Sequence, residues 1–120
     1  WYEDPQGVAG GGDSLALKPL DMAKIGYLFL HGGIWENEQI ISENWVRTST
    51  STSVSWGGGL NYGYQWWVSP DGDLYRALGY GGQQINVFHT EDLIVVFTGW
   101  NILHDYTSYI LNNYILPAVL

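Results

Sequence analysis

Between Leu74 and Trp100 the chain reads LYRALGYGGQQINVFHTEDLIVVFTGW, and the glycine-dense corner Gly79-Tyr80-Gly81-Gly82 is its best candidate for chemistry. Glycine serves where backbone takes unusual dihedrals or where another group must approach closely. Successive glycines beside a strand end expose backbone N–H groups, and such groups can act as donors to an oxyanion. A β-bulge or tight connection would use the same residues without any ligand. Side chains offer less. His31 ends a helix, His89 precedes a turn and His104 precedes a helix, with no metal-ligand spacing to another histidine or carboxylate. Asp71 and Asp73 flank Gly72; a calcium loop needs more oxygen ligands at regular spacing, and turn chemistry accounts for both. A serine nucleophile needs an activating base beside it, yet there is no Gly-x-Ser-x-Gly and no serine followed three positions later by lysine. Ser14, with Lys18 four residues on, comes nearest. The residues form no complete catalytic set, and none calls for a metal or cofactor.

A second group with binding chemistry is aromatic. Trp56, Tyr62, Tyr64, Trp66 and Trp67 could stack on sugars. Read as one strand, alternation places Tyr62, Tyr64 and Trp66 on one face and Trp67 on the other, which favours core packing over a platform. A sugar- or protein-binding module stays open as an alternative.

Composition limits the choice further. The 120 residues suit one domain. Aromatics make up 16%, with 7 Trp and 9 Tyr, while charged residues make up 13%, about half the usual quarter. So little charge fits a segment whose aromatic surface is buried against missing parts of a larger domain. Net charge is −8, with only Lys18, Lys24, Arg47 and Arg76 positive. Nucleic-acid binding needs clustered cations, so that class is excluded. The absence of cysteine removes disulfides and thiolate chemistry. No signal peptide opens the chain, although an exported precursor could have lost its start, and no apolar run approaches the ~20 residues of a membrane span.

The elements that must hold the corner follow from periodicity and punctuation. Residues 1–17 end in a loop, Gly10-Gly11-Gly12-Asp13-Ser14. Pro19 and Asp21 suit the first turn of a helix. Leu20, Ala23, Tyr27 and Leu30 recur at helical spacing, Gly32-Gly33 stops the helix, and Lys18 is a poor N-cap. Two short extended pieces surround Glu36-Asn37-Glu38, then Ser42 caps a helix to about Thr48. The tract Thr48 to Ser55 reads as an exposed loop, continued by Gly57-Gly58-Gly59. Strands are expected at Tyr62–Val68, Leu74–Gly79, Gln84–His89 and Leu93–Thr98, antiparallel because their links are short. Leu93–Phe97 is apolar throughout, so both faces are expected to be covered. Asp105 caps a closing helix ended by Pro117, with Tyr106, Tyr109, Ile110 and Tyr114 as its buried stripe. The reading is α+β, an antiparallel sheet of three to four strands flanked by helices. Residues 1–61 supply helices and loops, and residues 62–120 the sheet plus the C-terminal helix.

Taken in order, these pieces resemble the C-terminal part of the serine β-lactamase and penicillin-binding-protein superfamily, in its branch of β-lactamase-related hydrolases and esterases. The matching residues are Gly11-Gly12-Asp13-Ser14, Leu20-Asp21-Met22-Ala23-Lys24-Ile25-Gly26 with Leu28 and Gly32-Gly33, Ile40-Ile41-Ser42-Glu43-Asn44-Trp45-Val46, Tyr62-Gly63-Tyr64-Gln65-Trp66-Trp67, Gly79-Tyr80-Gly81-Gly82-Gln83 and Leu93–Thr98. The resemblance implies that a serine, activated by a lysine three residues later, attacks an ester or amide carbonyl and forms an acyl-enzyme that water hydrolyses. The Ser-x-x-Lys and Tyr-x-Asn motifs lie upstream in the family and are absent here, so the segment is expected to be inactive alone and to need the missing N-terminal part of its domain. The third family motif, Lys-Thr-Gly or a histidine variant, falls on Ala77-Leu78-Gly79, where only the glycine matches. The resemblance makes the Tyr80 backbone N–H an oxyanion donor and places substrate contacts at Ala77, Leu78, Gly79, Gly81, Gly82 and Gln83. The expected partner is a small ester, amide or peptide. Without the family cation at Ala77, a looser esterase or amidase specificity is expected. A fold-retaining regulator without activity is the remaining alternative, and a periplasmic, surface or secreted location is implied by the resemblance alone.

Overall fold

The computed structural model describes residues 1–12, 14–55, 57, 59, 61–99 and 106–120. Expectations resting on Asp13, Trp56, Gly58, Trp100, His104 and Asp105 therefore lie outside the described residues.

Helix α1 spans Pro19–Leu30, with proline in its first turn and Lys18 making no side-chain cap. Its end follows from two glycines. Gly32 and Gly33 take positive φ (61° and 86°), and their N–H groups donate to Phe29 O at 3.3 Å and Leu28 O at 2.7 Å. That pair is a Schellman stop, which glycine permits at no steric cost. Strands β1 (Ile34–Trp35) and β2 (Glu38–Gln39) pair antiparallel. Glu36 and Asn37 between them both take positive φ, the backbone of a tight hairpin. Ser42 caps α2 (Glu43–Ser49), its Oγ accepting from Trp45 N–H at 3.2 Å.

The main sheet has six strands in chain order, all antiparallel: β3 (Val54–Ser55), β4 (Asn61–Tyr62), β5 (Trp67–Val68), β6 (Leu74–Leu78), β7 (Gln84–Phe88) and β8 (Leu93–Phe97). The last three agree with expectation to within a residue at their ends. The first expected strand does not form as one piece. Asn61 pairs with Val68 and Tyr62 with Trp67, so residues 63–66 are the loop of a hairpin. Gly63 N–H donates to Trp66 O at 2.8 Å, and Gln65 takes φ 68°. An aromatic run satisfies strand propensity in either arrangement, and Gly63 turns it back. The Ser/Thr tract also differs from an exposed loop. Thr48 and Ser49 belong to α2, Ser49 is buried, and Val54–Ser55 enter the sheet.

One face of the sheet carries Val68, Tyr75, Ile85 and Val87, which form the core with Trp66. Met22, Ile25, Phe29 and Leu30 of α1 pack on it, joined by Ala77 and Ile94. Gly26 is buried at the crossing, its Cα facing the Ile94 and Ile85 side chains. The opposite face carries Gln84 and Asn86, by alternation along β7. Gln84 Nε2 donates to Thr107 Oγ1 at 2.7 Å, which places α3 (Tyr106–Ile110) on that side. The helix continues as a π-turn, Leu111–Ile115, into α4 (Leu116–Val119). Pro117 therefore lies within the helical run rather than ending it. A wider π-turn beforehand fits a residue that has no N–H to donate. The expected stripe is also corrected. Thr107 and Leu111 are buried, four residues apart, whereas Tyr106, Tyr109, Ile110 and Tyr114 are exposed. No described helix is long and apolar enough to cross a membrane.

Candidate functional site

The corner joins β6 to β7 at the closed end of the hairpin. Leu78 pairs with Gln84, and Gly79 N–H donates to Gln83 O at 2.8 Å, carrying the ladder one residue further. Gly82 N–H donates back to Gly79 O at 3.0 Å, and Gly82 takes φ 87°. A turn closed in this way and followed by a left-handed glycine is a three-residue hairpin loop with a G1-type bulge. The tight-connection reading of the glycines is thus correct in geometry, and it leaves the amide of Tyr80 over. Gly81 N–H is taken by Gln83 Oε1 at 3.1 Å. Among the described residues the Tyr80 N–H has no acceptor, and Tyr80 is 87% exposed.

Gly79, Tyr80, Gly81, Gly82 and Gln83 are therefore gathered in a single turn. Ala77 and Leu78 diverge from them and from each other. Ala77 packs toward the core. Leu78 lies on the other face with Leu74 and Arg76, beside Trp67 and Val68, along a groove of ≈ 270 Å³. Arg76 thus faces away from Ala77 and supplies no cation on the Ala77 side.

The remaining candidates have structural work in the described residues. His31 caps α1; its Nδ1 lies 3.0 Å from Tyr27 O and its ring stacks on Tyr27 at 3.9 Å. The Asp71 carboxylate accepts from Ser69 Oγ–H and, at 3.1 Å, from Asp73 N–H. Those bonds, the Ser69 hydroxyl first, hold its pKa below the ordinary 3.8. Asp73 ties this turn to the next, its carboxylate accepting from Thr90 N–H at 2.9 Å and its carbonyl from His89 N–H at 3.0 Å. Among the described residues no three histidine, aspartate or glutamate side chains gather as a metal site. Of the aromatics, Trp66 is buried between Phe29 and Tyr75, and Tyr62 meets Trp67 edge-on at 4.9 Å. Burial raises the Tyr75 phenol well above its ordinary pKa of 10.0.

Sequence reasoning missed two features that position the site. One is the Gln83 side chain folding back onto Gly81, whose only sequence signal is a long amide directly after the left-handed glycine. The other is the seat beneath the 63–66 loop, where Tyr64 N–H donates to Ser49 O at 2.9 Å. No alternation or propensity rule reports a contact between segments fifteen residues apart.

No family model matches the sequence, and no curated protein matches it. Solved structures do. A protein assigned as a 6-aminohexanoate-dimer hydrolase from Bacillus anthracis superposes with a TM-score of 0.65 at 20% sequence identity. The match covers 84% of this chain and 28% of the hydrolase, so the chain spans under a third of that protein's length. The six-stranded antiparallel sheet with its flanking helices is an α+β fold shared with that hydrolase, and it is consistent with the C-terminal part of the β-lactamase-like fold.

Proposed function

We propose that this segment forms one wall of the active site of a β-lactamase-like serine hydrolase, with the Tyr80 N–H as an oxyanion donor. The observation that carries the reading is the unpaired Tyr80 amide, held at the end of a central sheet strand in a turn where the amides of all three glycines are engaged. A donor fixed before reaction stabilises developing charge without reorganising, the largest single term in many acyl transfers. In the complete site a serine hydroxyl, deprotonated by a neighbouring lysine, adds to the ester or amide carbonyl. The carbonyl oxygen becomes an oxyanion facing Tyr80, the C–O or C–N bond breaks, and the leaving group takes up a proton. Water then releases the acid and regenerates the serine. Neither serine nor lysine of that pair lies in these 120 residues, so the segment alone is proposed to be inactive. The fold neighbour, named for hydrolysing a 6-aminohexanoate dimer, favours a simple amide or ester over a β-lactam, in keeping with Ala77 where a cation would hold a substrate carboxylate.

The test is to express the reading frame that contains this segment, together with the 120-residue chain by itself. The longer protein is expected to hydrolyse p-nitrophenyl acetate and to take up a fluorophosphonate on a serine of a Ser-x-x-Lys motif. Steady hydrolysis by the short chain, surviving replacement of each of its serines, refutes the proposal. A binding module is the second reading, favoured by the exposed Trp45–Tyr64 pair with centroids 5.4 Å apart. Saturable fluorescence quenching by oligosaccharides would support it.

A further inference from the structure

We infer that Gln83 is a positioning residue that locks the corner in the one turn conformation in which the Gly81 amide is engaged and the Tyr80 amide is free. The inference rests on the oxyanion role proposed above for Tyr80. Its physical basis is the arrangement of the turn itself. The peptide between Tyr80 and Gly81 is the one that flips when a type I turn becomes type II, and the flipped form needs a positive φ at the third turn position. That position is Gly81, a glycine, so sterics do not oppose the flip. Gly81 does not take positive φ here, although Gly82 next to it does. What holds the peptide is the bond from Gly81 N–H to Gln83 Oε1. A flip would break it and would reverse the dipole of the peptide that carries Tyr80's own carbonyl, beside the proposed oxyanion position.

Gly79 belongs to the same device. Its φ is not positive, so its backbone conformation does not demand glycine. A Cβ there would lie 2.7 Å from Gln83 Oε1 and 3.3 Å from both Gln83 Cβ and Gln83 O. The space that a side chain at Gly79 would take is the space in which the Gln83 carboxamide sits. Alanine at Gly79 and loss of the amide at Gln83 should therefore do the same damage by two routes.

The experiment uses the full-length protein carrying this segment, with Gln83→Met, Gly79→Ala and the double variant. Methionine keeps the length of the side chain and removes the acceptor. Two readouts are taken: amide exchange at Gly81 and Tyr80 by NMR, and kcat and KM on p-nitrophenyl acetate. Each single variant is expected to speed exchange at Gly81 about tenfold, with Tyr80 unchanged. Each is also expected to lower kcat roughly tenfold at nearly constant KM, less than the 10²–10³ of a donor removed outright. The double variant should be no worse than either single one, because both break one bond. Unchanged Gly81 exchange in Gln83→Met, an additive double variant, or a raised KM with kcat intact would overturn the inference. If Gly81 exchange rises while kcat stays at wild type, the positioning role fails and the hydrolase reading stands. If the unaltered protein neither turns over ester nor labels on serine, the hydrolase reading fails and the catalytic role of Gln83 falls with it.

Discussion

The seat of α1 on the sheet turns on Gly26, and Gly26→Ala tests it through the sign of its effect. In an exposed helix the change gains about 1 kcal/mol, since alanine is the better helix former. Here a Cβ would lie 2.8 Å from Ile94 Cγ2, 3.1 Å from Ile85 Cγ2 and 3.5 Å from Val87 Cγ2. Carbon atoms pack best at about 3.5–4.0 Å, so two of the three contacts are too short by several tenths of an ångström. Isoleucine is stiff at χ1 and gives way poorly. The helix must lift, and overpacking of this kind costs about 1–3 kcal/mol. Set against the propensity gain, a net loss of about 1 kcal/mol is expected. With an m-value of about 2 kcal/mol/M, the urea midpoint should fall by roughly 0.5 M, followed by fluorescence of Trp66 beside Phe29. Truncating Ile94 to alanine removes the nearest methyl. In that background Gly26→Ala should become stabilising, with a coupling of about 1 kcal/mol or more across the cycle. A gain of about 1 kcal/mol from Gly26→Ala alone, with no coupling to Ile94, would refute this packing of α1.

Four further outcomes are expected. Gly63→Ala should cost at least about 3 kcal/mol, because its Cβ would meet backbone oxygens of Ser49 at 2.1 Å and Ser51 at 2.7 Å, neither of which can swing aside. Gly11→Ala, with nothing within 4 Å, is the control and should be near neutral in the same denaturation assay. Ser42→Ala should lose about 1 kcal/mol, measured as a lower thermal midpoint, by removing the acceptor for Trp45 N–H at the start of α2. Asp71→Asn should matter at pH 5 and cease to matter in strong acid. The folded carboxyl titrates below 3.8, so its contribution is complete above that value and is lost as pH falls through the lower folded one. A difference between the two proteins that does not shrink as pH falls below 3.8 would contradict the bonding at Ser69.

Local rules read much of this chain correctly because the features concerned are local. The stop at Gly32-Gly33, the cap at Ser42 and the strands Leu74–Leu78, Gln84–Phe88 and Leu93–Phe97 each depend on residues within a few positions. The glycine corner was visible for the same reason, since Gly82 must supply a left-handed φ for so short a link. Where two local forms satisfied one pattern, the reading went astray. The run from Tyr62 to Val68 has the propensity of a strand, yet Gly63 lies against Ser49 O and folds the run into a hairpin. The tyrosines of the last helix had a plausible period, but Thr107 and Leu111 face the sheet because Gln84 reaches Thr107.

By itself, then, the sequence determined the α+β class, the antiparallel order of the three long strands and the place of the glycine turn. Each rests on side-chain alternation, on φ preference or on the length of a link. Only the tertiary structure decided which of two neighbouring amides in that turn is free. A backbone N–H is chemically the same at Tyr80 and Gly81, and what distinguishes the two is a carboxamide oxygen folded back from Gln83 to 3.1 Å from one of them.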